Sequence, residues 1–162
     1  MSAKGESLPR AFVFELADLA AGGGKAGAAK RWAAAEKLLN KMVELGYLPV
    51  AVTDLPEAEA QALAEKLELA RLSVRVHWVD AEKRKFPGVA VWREAVRAAE
   101  ASPRTSAAWV TRSASCRAAI AAGLRVIAAP PPERSAEDFC GADIFLDSPA
   151  DFSGSFSGDG RD

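Results

Sequence analysis

The sequence predicts an α/β fold in which a parallel sheet lies between layers of helices. Short apolar runs alternate along the 162-residue chain with longer amphipathic stretches. This alternation is typical of parallel sheets, because each crossover between parallel strands needs a connection that is usually a helix. The length fits one domain with a sizeable core.

Six apolar segments are predicted as strands, because each is short and is followed by polar or turn-forming residues. Two of them, 11–15 and 107–111, are almost wholly apolar, as strands buried on both faces are. The full set is 11–15, 48–53, 72–79, 107–111, 125–129 and 143–147.

The first two helices are predicted from periodicity and from their ends. Segment 28–46 carries an apolar stripe that includes Trp32 and Met42, and it stops at Gly46. Glycine is common just past a helix C-terminus because it adopts positive φ freely. Segment 55–70 begins with proline and acidic residues, which suit the first turn of a helix.

The remaining two helices follow the third and fourth strands. Segment 87–101 spaces Val89, Trp92 and Val96 at helical intervals, and the alanine-rich segment 115–124 includes Gly123 near its end. We predict one domain over residues 10–152, an N-terminal extension over 1–9 and a flexible tail over 153–162, which is rich in Ser, Gly and Asp.

The composition excludes several classes of function. The formal net charge is −1, so nucleic acid and membrane surfaces are not expected partners. The apolar stretches are short and interrupted by charges, and the N-terminus has no apolar signal core, which predicts a cytoplasmic protein. Two cysteines are too few for a disulfide framework or a zinc site.

Polar residues stand where several predicted strands end. Glu15 follows the first strand, Thr53 closes the second, and Thr111, Arg112 and Ser113 follow the fourth. In open parallel sheets, ligands bind just beyond the carboxyl ends of the strands. These residues are therefore the candidate functional site.

The segments resemble, in order and content, the haloacid dehalogenase superfamily of phosphohydrolases, especially its β-phosphoglucomutase-like branch. Residues 113–152 resemble the run of serine, helix, "AAG", strand, proline, "AD", strand and closing helix in that branch. Residues 41–56 resemble the helix and strand of its second motif, and "FVFELADLA" (12–20) resembles its first motif, a strand followed by Asp-x-Asp. The resemblance implies a three-layer, Rossmann-like sheet with helices on both faces.

The resemblance also implies roles for individual positions. The family's first aspartate attacks phosphorus and its second is the general acid and base; Glu15 and Ala17 stand at these positions here. Thr53 matches the hydroxyl of the second motif. Lys85 matches the lysine of the third motif, with Lys83 as the alternative.

The fourth motif departs from the family. There the family has an acidic pair that helps the first carboxylate to hold magnesium, whereas this chain has Thr111 and Arg112. Magnesium takes oxygen ligands, and a guanidinium opposes it, since even two unit charges of the same sign repel by about 4 kcal/mol at 4 Å and an effective dielectric of 20. We therefore expect no bound metal or other cofactor, with magnesium needed only if the chain is a hydrolase.

Three interpretations of these residues stay open. Glu15 and Arg112 can form a structural ion pair between neighbouring strands. Alternatively, Thr53, Lys85, Arg112 and Ser113 can bind phosphate or a phosphorylated ligand without turnover. In the third interpretation, Glu15 is the nucleophile of a divergent phosphatase.

The connection between the first two motifs is too short for a large cap over the site. An open site without catalytic residues favours a catalytically inactive protein with a binding, regulatory or scaffold role. A homodimer or a complex with another protein is the expected assembly, and the residues do not identify the partner.

Overall fold

The computed structural model describes residues 9–19, 24–80, 82–83 and 85–156, and it confirms the predicted α/β fold. Six parallel strands form one sheet: β1 (Arg10–Glu15), β2 (Tyr47–Thr53), β3 (Arg75–Trp78), β4 (Ala107–Val110), β5 (Arg125–Ala128) and β6 (Ile144–Phe145). Their order in the sheet is β3-β2-β1-β4-β5-β6. The first strand therefore lies in the middle, beside the fourth.

The helices are α1 (Gly24–Glu44), α2 (Glu57–Lys66), α3 (Val89–Ala98) and α4 (Ser113–Ala121). Helix α1 ends before Gly46, whose φ of 93° confirms the predicted glycine stop. Between Leu19 and α1 only residues 20–23 intervene, which leaves no room for a large cap at this point.

The core has two halves, one on each face of the sheet. Phe12, Phe14 and Trp109 pack on one face against α1 and α2, and Val13 and Val110 pack on the other against α3 and α4. Strand β1 thus buries alternate side chains in opposite directions, as a central parallel strand must. This arrangement confirms the predicted three-layer architecture.

Several predicted elements are longer than the observed ones: segment 143–147 contains only β6, and segment 55–70 contains α2 and part of a separate 3-10 helix. The predicted strand 72–79 is shorter, because Leu69–Leu72 form a 3-10 turn and Ser73 has a φ of 59°, which no strand residue adopts. The closing helix that the resemblance implied after Ser148 is a single 3-10 turn, Pro149–Asp151.

The C-terminal part that the structure describes packs on the domain. The rings of Phe152 and Phe156 lie 5.4 Å apart, and the guanidinium of Arg125 stands 5.6 Å from the Phe156 ring centroid. The predicted extension and tail fall mostly on residues 1–8 and 157–162, outside the described residues. Within the described ranges, no helix is long and apolar enough to cross a membrane.

Candidate functional site

The candidate site lies where β1 and β4 end side by side. The strand order changes direction here: β2 and β3 lie on one side of β1, whereas β4, β5 and β6 lie on the other. The pairing of Phe12 with Ala107 and of Val13 with Ala108 brings the two carboxyl ends together. Such a switch point opens a crevice at the carboxyl edge of the sheet.

Glu15 ends β1 and is buried with only 3% of its surface exposed. Arg112 Nη2 donates a hydrogen bond of 2.5 Å to Glu15 Oε1. The hydroxyl of Ser115 donates to the other oxygen, Oε2. Both carboxylate oxygens therefore have partners, and the ion pair of the first of the three interpretations is present.

The start of α4 positions both partners of Glu15. Arg112 is the last residue before the helix and has an extended backbone (φ −144°, ψ 155°), while Ser115 lies in the first turn. Their side chains meet, since Arg112 Nε donates to Ser115 Oγ over 3.2 Å. Burial alone lowers the pKa of Arg112, but the hydrogen bond and charge of Glu15, with the charges of Asp18 and Asp54, outweigh it and raise the pKa.

Asp18 is a second buried carboxyl group of the site. Directly after Glu15 the chain turns into a 3-10 helix, Leu16–Leu19, in which side chains three residues apart lie one above the other. Asp18 is therefore on the same side as Glu15, with 6% of its surface exposed. Strand alternation, which would have pointed Asp18 away from Glu15, does not apply beyond the end of β1.

Thr111 connects Asp18 to the other strand. Its hydroxyl donates to Asp18 Oδ1 over 2.9 Å, and Arg134 Nη1 donates to the same Thr111 oxygen over 3.4 Å. Burial is the main cause that raises the pKa of Asp18 to about 7, and the negative charge of Glu15 raises it further. The Thr111 hydrogen bond and the charges of Arg112 and Arg134 act in the opposite direction.

The other residues predicted for the site differ in their surroundings. Ala17 is exposed on the 3-10 helix and carries no titratable group. Thr53 is buried at the end of β2, where its hydroxyl oxygen accepts a hydrogen bond from the Leu55 amide. Lys83 and Lys85 are both exposed on the segment that follows β3. Their proposed roles toward a ligand stay predictions.

Ser113 takes part through its backbone. Its amide nitrogen donates a hydrogen bond of 2.8 Å to Glu137 Oε1, so Glu137 provides an acceptor for a backbone amide at the start of α4. Its side chain is not among the partners of the Glu15 carboxylate, where Ser115 stands instead. A ligand contact of the Ser113 hydroxyl stays a prediction.

Three residues of the site were not predicted from the sequence: Asp18, Ser115 and Arg134. A spacing of three residues was the available signal for two of them, since Asp18 follows Glu15 and Ser115 follows Arg112 at that interval. Arg134 lies in the 3-10 turn Pro132–Arg134 after β5, and no feature of the sequence relates that loop to Thr111.

The residues present do not fit the magnesium that the family resemblance implies. Both oxygens of Glu15 accept hydrogen bonds, and a guanidinium stands against one of them. Among the residues that the structure describes, no group of three or more His, Cys, Asp and Glu side chains is arranged to hold a metal ion. Two positive side chains, Arg112 and Arg134, occupy the region instead.

No family model and no curated protein matches the chain. Solved structures do match. CbbY from Rhodobacter sphaeroides in complex with xylulose 1,5-bisphosphate is 25% identical with a TM-score of 0.60, over 73% of this chain and 54% of CbbY. CbbY in complex with phosphate is 26% identical with a TM-score of 0.58, over the same shares.

More distant structures share the same fold. A putative β-phosphoglucomutase from Thermotoga maritima is 18% identical with a TM-score of 0.58, over 72% of this chain and 55% of that protein. A predicted phosphoglycolate phosphatase from Haemophilus somnus is 16% identical with a TM-score of 0.57, over 72% and 52%. These neighbours belong to the haloacid dehalogenase superfamily. The chain spans about half the length of the solved structures it matches.

Proposed function

We propose that this chain, which has the haloacid dehalogenase fold, binds an oxyanion such as phosphate at the carboxyl ends of β1 and β4 and does not hydrolyse phosphoesters. In this proposal the domain is a binding or regulatory module. Its protein partner, a second copy of the chain or another protein, is not identified by the site.

One observation carries the proposal: the Arg112 guanidinium is bound to Glu15, the residue at the nucleophile position. A carboxylate with a hydrogen-bond donor on each oxygen is a poor nucleophile, because the oxygen that attacks phosphorus must give up its donor, whether Arg112 or Ser115. Ala17, at the acid and base position, has no proton to transfer. The residues that would turn over a phosphoester are therefore engaged or replaced.

The charges of the site favour an anion. The Arg112 side chain is 36% exposed, so its guanidinium holds Glu15 and still faces solvent. Arg134 adds a second positive charge next to Thr111. Arginine suits phosphate because its planar donors match pairs of oxygens. Phosphate is a candidate ligand also because CbbY, with the same fold, was solved with phosphate.

Two measurements on the purified chain test this function: turnover of p-nitrophenyl phosphate, and calorimetric titration with inorganic phosphate, both with and without magnesium. We expect no turnover, and phosphate binding that does not depend on magnesium. Arg112→Ala should weaken that binding at least tenfold, which corresponds to about 1.4 kcal/mol. Arg117→Ala is the matched control, since Arg117 is an exposed arginine of the same helix. Phosphate binding that requires magnesium, or equal loss in both variants, contradicts the proposal.

A divergent phosphatase that uses Glu15 is the second candidate. It is favoured by Asp18, whose pKa near neutrality suits a group that takes up and releases protons. Turnover by the wild type that is lost in Glu15→Gln would support this candidate. A triple variant, Glu15→Asp with Ala17→Asp and Arg112→Asp, restores the family's residues at these positions. Phosphatase activity in this variant would show that these three differences alone account for the lack of turnover.

A further inference from the structure

The Asp18 carboxyl group has one oxygen without a partner. Oδ1 accepts the Thr111 hydroxyl over 2.9 Å, whereas Oδ2 is buried and has no hydrogen-bond partner among the described residues. A buried polar atom that lacks a partner is costly, by about 1–3 kcal/mol. An unpartnered oxygen beside two arginines is therefore a feature that calls for an explanation.

The position of the proton on Asp18 follows from these contacts. When the group is neutral, one oxygen carries the proton and donates, and the other accepts. Oδ1 already accepts from Thr111, so the proton belongs on Oδ2. The neutral Asp18 thus presents a hydroxyl donor that needs an acceptor, and no described residue supplies one.

We propose that the Oδ2 hydroxyl of neutral Asp18 donates to an oxygen of the bound oxyanion, so that the site takes up its ligand together with one proton. This inference rests on the anion-binding function proposed above and adds the condition under which the site binds. A carboxylate in the same place would repel the ligand, whereas a carboxylic acid is one of its donors. Asp18 is then a ligand-binding residue whose protonation state decides affinity.

The charged groups around Asp18 support this role. Glu15 acts on it from the end of β1, and Arg112 and Arg134 act on it from the segments after β4 and β5. Glu15, Arg112 and Arg134 together carry one net positive charge. A neutral Asp18 leaves this charge unchanged, whereas an ionised Asp18 brings the total of the four side chains to zero. Asp54 also acts on Arg112, but it is exposed, and its charge is screened by water and salt.

The affinity of the site for an anion should change over a defined pH range. Since the pKa of Asp18 is raised to about 7, the group is mostly neutral below that pH and mostly ionised above it. Anion affinity should therefore be nearly constant below about pH 6 and should approach a tenfold fall per pH unit above about pH 8. A bound anion that accepts from Asp18 raises the pKa of Asp18 in the complex, and the fall in affinity continues up to that higher pKa.

Calorimetric titration with sulfate tests the inference, because sulfate keeps its two charges throughout this pH range and phosphate does not. Titrations of the wild type at pH 5.5, 6.5, 7.5 and 8.5 give the pH profile. At pH 7.5, buffers of different ionisation enthalpy report the number of protons taken up. We expect uptake of about three-quarters of a proton per bound sulfate, because about that share of Asp18 is ionised at pH 7.5 in the free protein. This readout needs no variant.

Three variants sharpen the test. Asp18→Asn keeps an acceptor toward Thr111 and offers a permanent amide donor to the anion, so its affinity should stay constant through pH 8.5 without proton uptake. Asp54→Asn removes an exposed acid near the same arginine and should keep the wild-type pH slope. His77→Gln removes the single histidine of the chain and should keep the slope too.

The outcomes separate the two proposals. Sulfate binding by the wild type with a flat pH profile and no proton uptake overturns the role of Asp18 and leaves the anion site intact. A sloping profile that Asp18→Asn retains also overturns it. If neither sulfate nor phosphate binds at any pH, the proposed function itself fails and the role of Asp18 fails with it.

Discussion

Glu15 and Asp18 are two buried carboxyl groups, one at the end of β1 and one in the 3-10 helix directly after it, and they differ in the partners of their oxygens. Glu15 has a cation in direct contact, Arg112, and a partner for each oxygen. Asp18 has a neutral hydroxyl, Thr111, on one oxygen and no described partner on the other. Burial raises the pKa of Asp18 to about 7.

Glu15 and Asp18 are similarly buried, with 3% and 6% of their surfaces exposed, but only Glu15 touches a cation. An acid that touches a cation can keep its charge, and removing the cation leaves an uncompensated charge in the interior. An acid that touches only neutral groups keeps its proton instead. The following variants change one partner at a time.

The largest effect is expected for Arg112→Ala. This variant leaves Glu15 buried without its cation, which should lower the free energy of unfolding by about 3 kcal/mol. This value is at the lower end of the range for buried pairs, because the Arg112 side chain is partly exposed. Urea unfolding at pH 7 measures it. Adding Glu15→Gln to Arg112→Ala should recover most of the loss; no recovery would mean that Arg112 stabilises the fold by another contact.

Asp18→Asn should change how stability depends on pH. The folded wild type holds a proton on Asp18 that the unfolded chain releases, since the pKa is raised from 3.8 to about 7. The stabilisation is thus complete below about pH 4 and is lost as pH rises to about 7. At pH 8 the variant should be more stable than the wild type by about 2–3 kcal/mol, less than the full pKa difference gives, because buried sites relax around charge.

Denaturant unfolding of both proteins from pH 4 to pH 8 provides this test. The wild type should lose stability across that range relative to Asp18→Asn. Parallel profiles would show that Asp18 is ionised in the folded state and that the contrast with Glu15 does not exist.

Ser115→Ala should have a smaller effect. It removes the hydroxyl that donates to Glu15 Oε2 and leaves the ion pair, which should destabilise the fold by about 1–2 kcal/mol. Ser113→Ala is the matched control two residues earlier, because only the backbone amide of Ser113 is engaged with Glu137. Equal thermal unfolding midpoints for Ser115→Ala and Ser113→Ala would show that the Ser115 hydroxyl does not stabilise the fold through Glu15.

Thr111→Val should have the smallest effect on stability, about 1 kcal/mol. The Thr111 hydrogen bond lowers the pKa of Asp18, so its loss should raise that pKa further and move the decline in stability to higher pH. Thr111→Ser keeps the hydroxyl and should behave as the wild type. A decline that moves to lower pH in Thr111→Val would contradict the assigned direction of this hydrogen bond.

Most of the fold could be predicted from the sequence, because apolar runs and helical stripes report burial directly. Strands β1 and β4 are buried on both faces; β4 is wholly apolar, and β1 is apolar between its charged ends, Arg10 and Glu15. The edge strand β3 was predicted too long, since Val74 is apolar but lies between Ser73, which caps the 3-10 turn, and Arg75, where the strand begins. Apolar character alone does not distinguish a residue of the strand from an apolar residue just before it.

Only the site residues whose positions follow from the order of the strands could be predicted from the sequence. Glu15 and Arg112 end neighbouring strands, so their ion pair followed from the topology. Asp18 and Ser115 depend on the backbone just beyond each strand, where a 3-10 turn and a helix start replace the alternation of a strand. Arg134 depends on the path of a loop, which local sequence does not determine.

The Glu15–Arg112 contact joins residues 97 positions apart in the chain. A contact of such long range closes only after β4 has docked beside β1, because the entropy of closing so large a loop must first be offset by the packing of both strands. The ion pair should therefore form late in folding and break early in unfolding. Stopped-flow kinetics of Arg112→Ala should show faster unfolding at a nearly unchanged folding rate, and slower folding would place the pair in the folding nucleus.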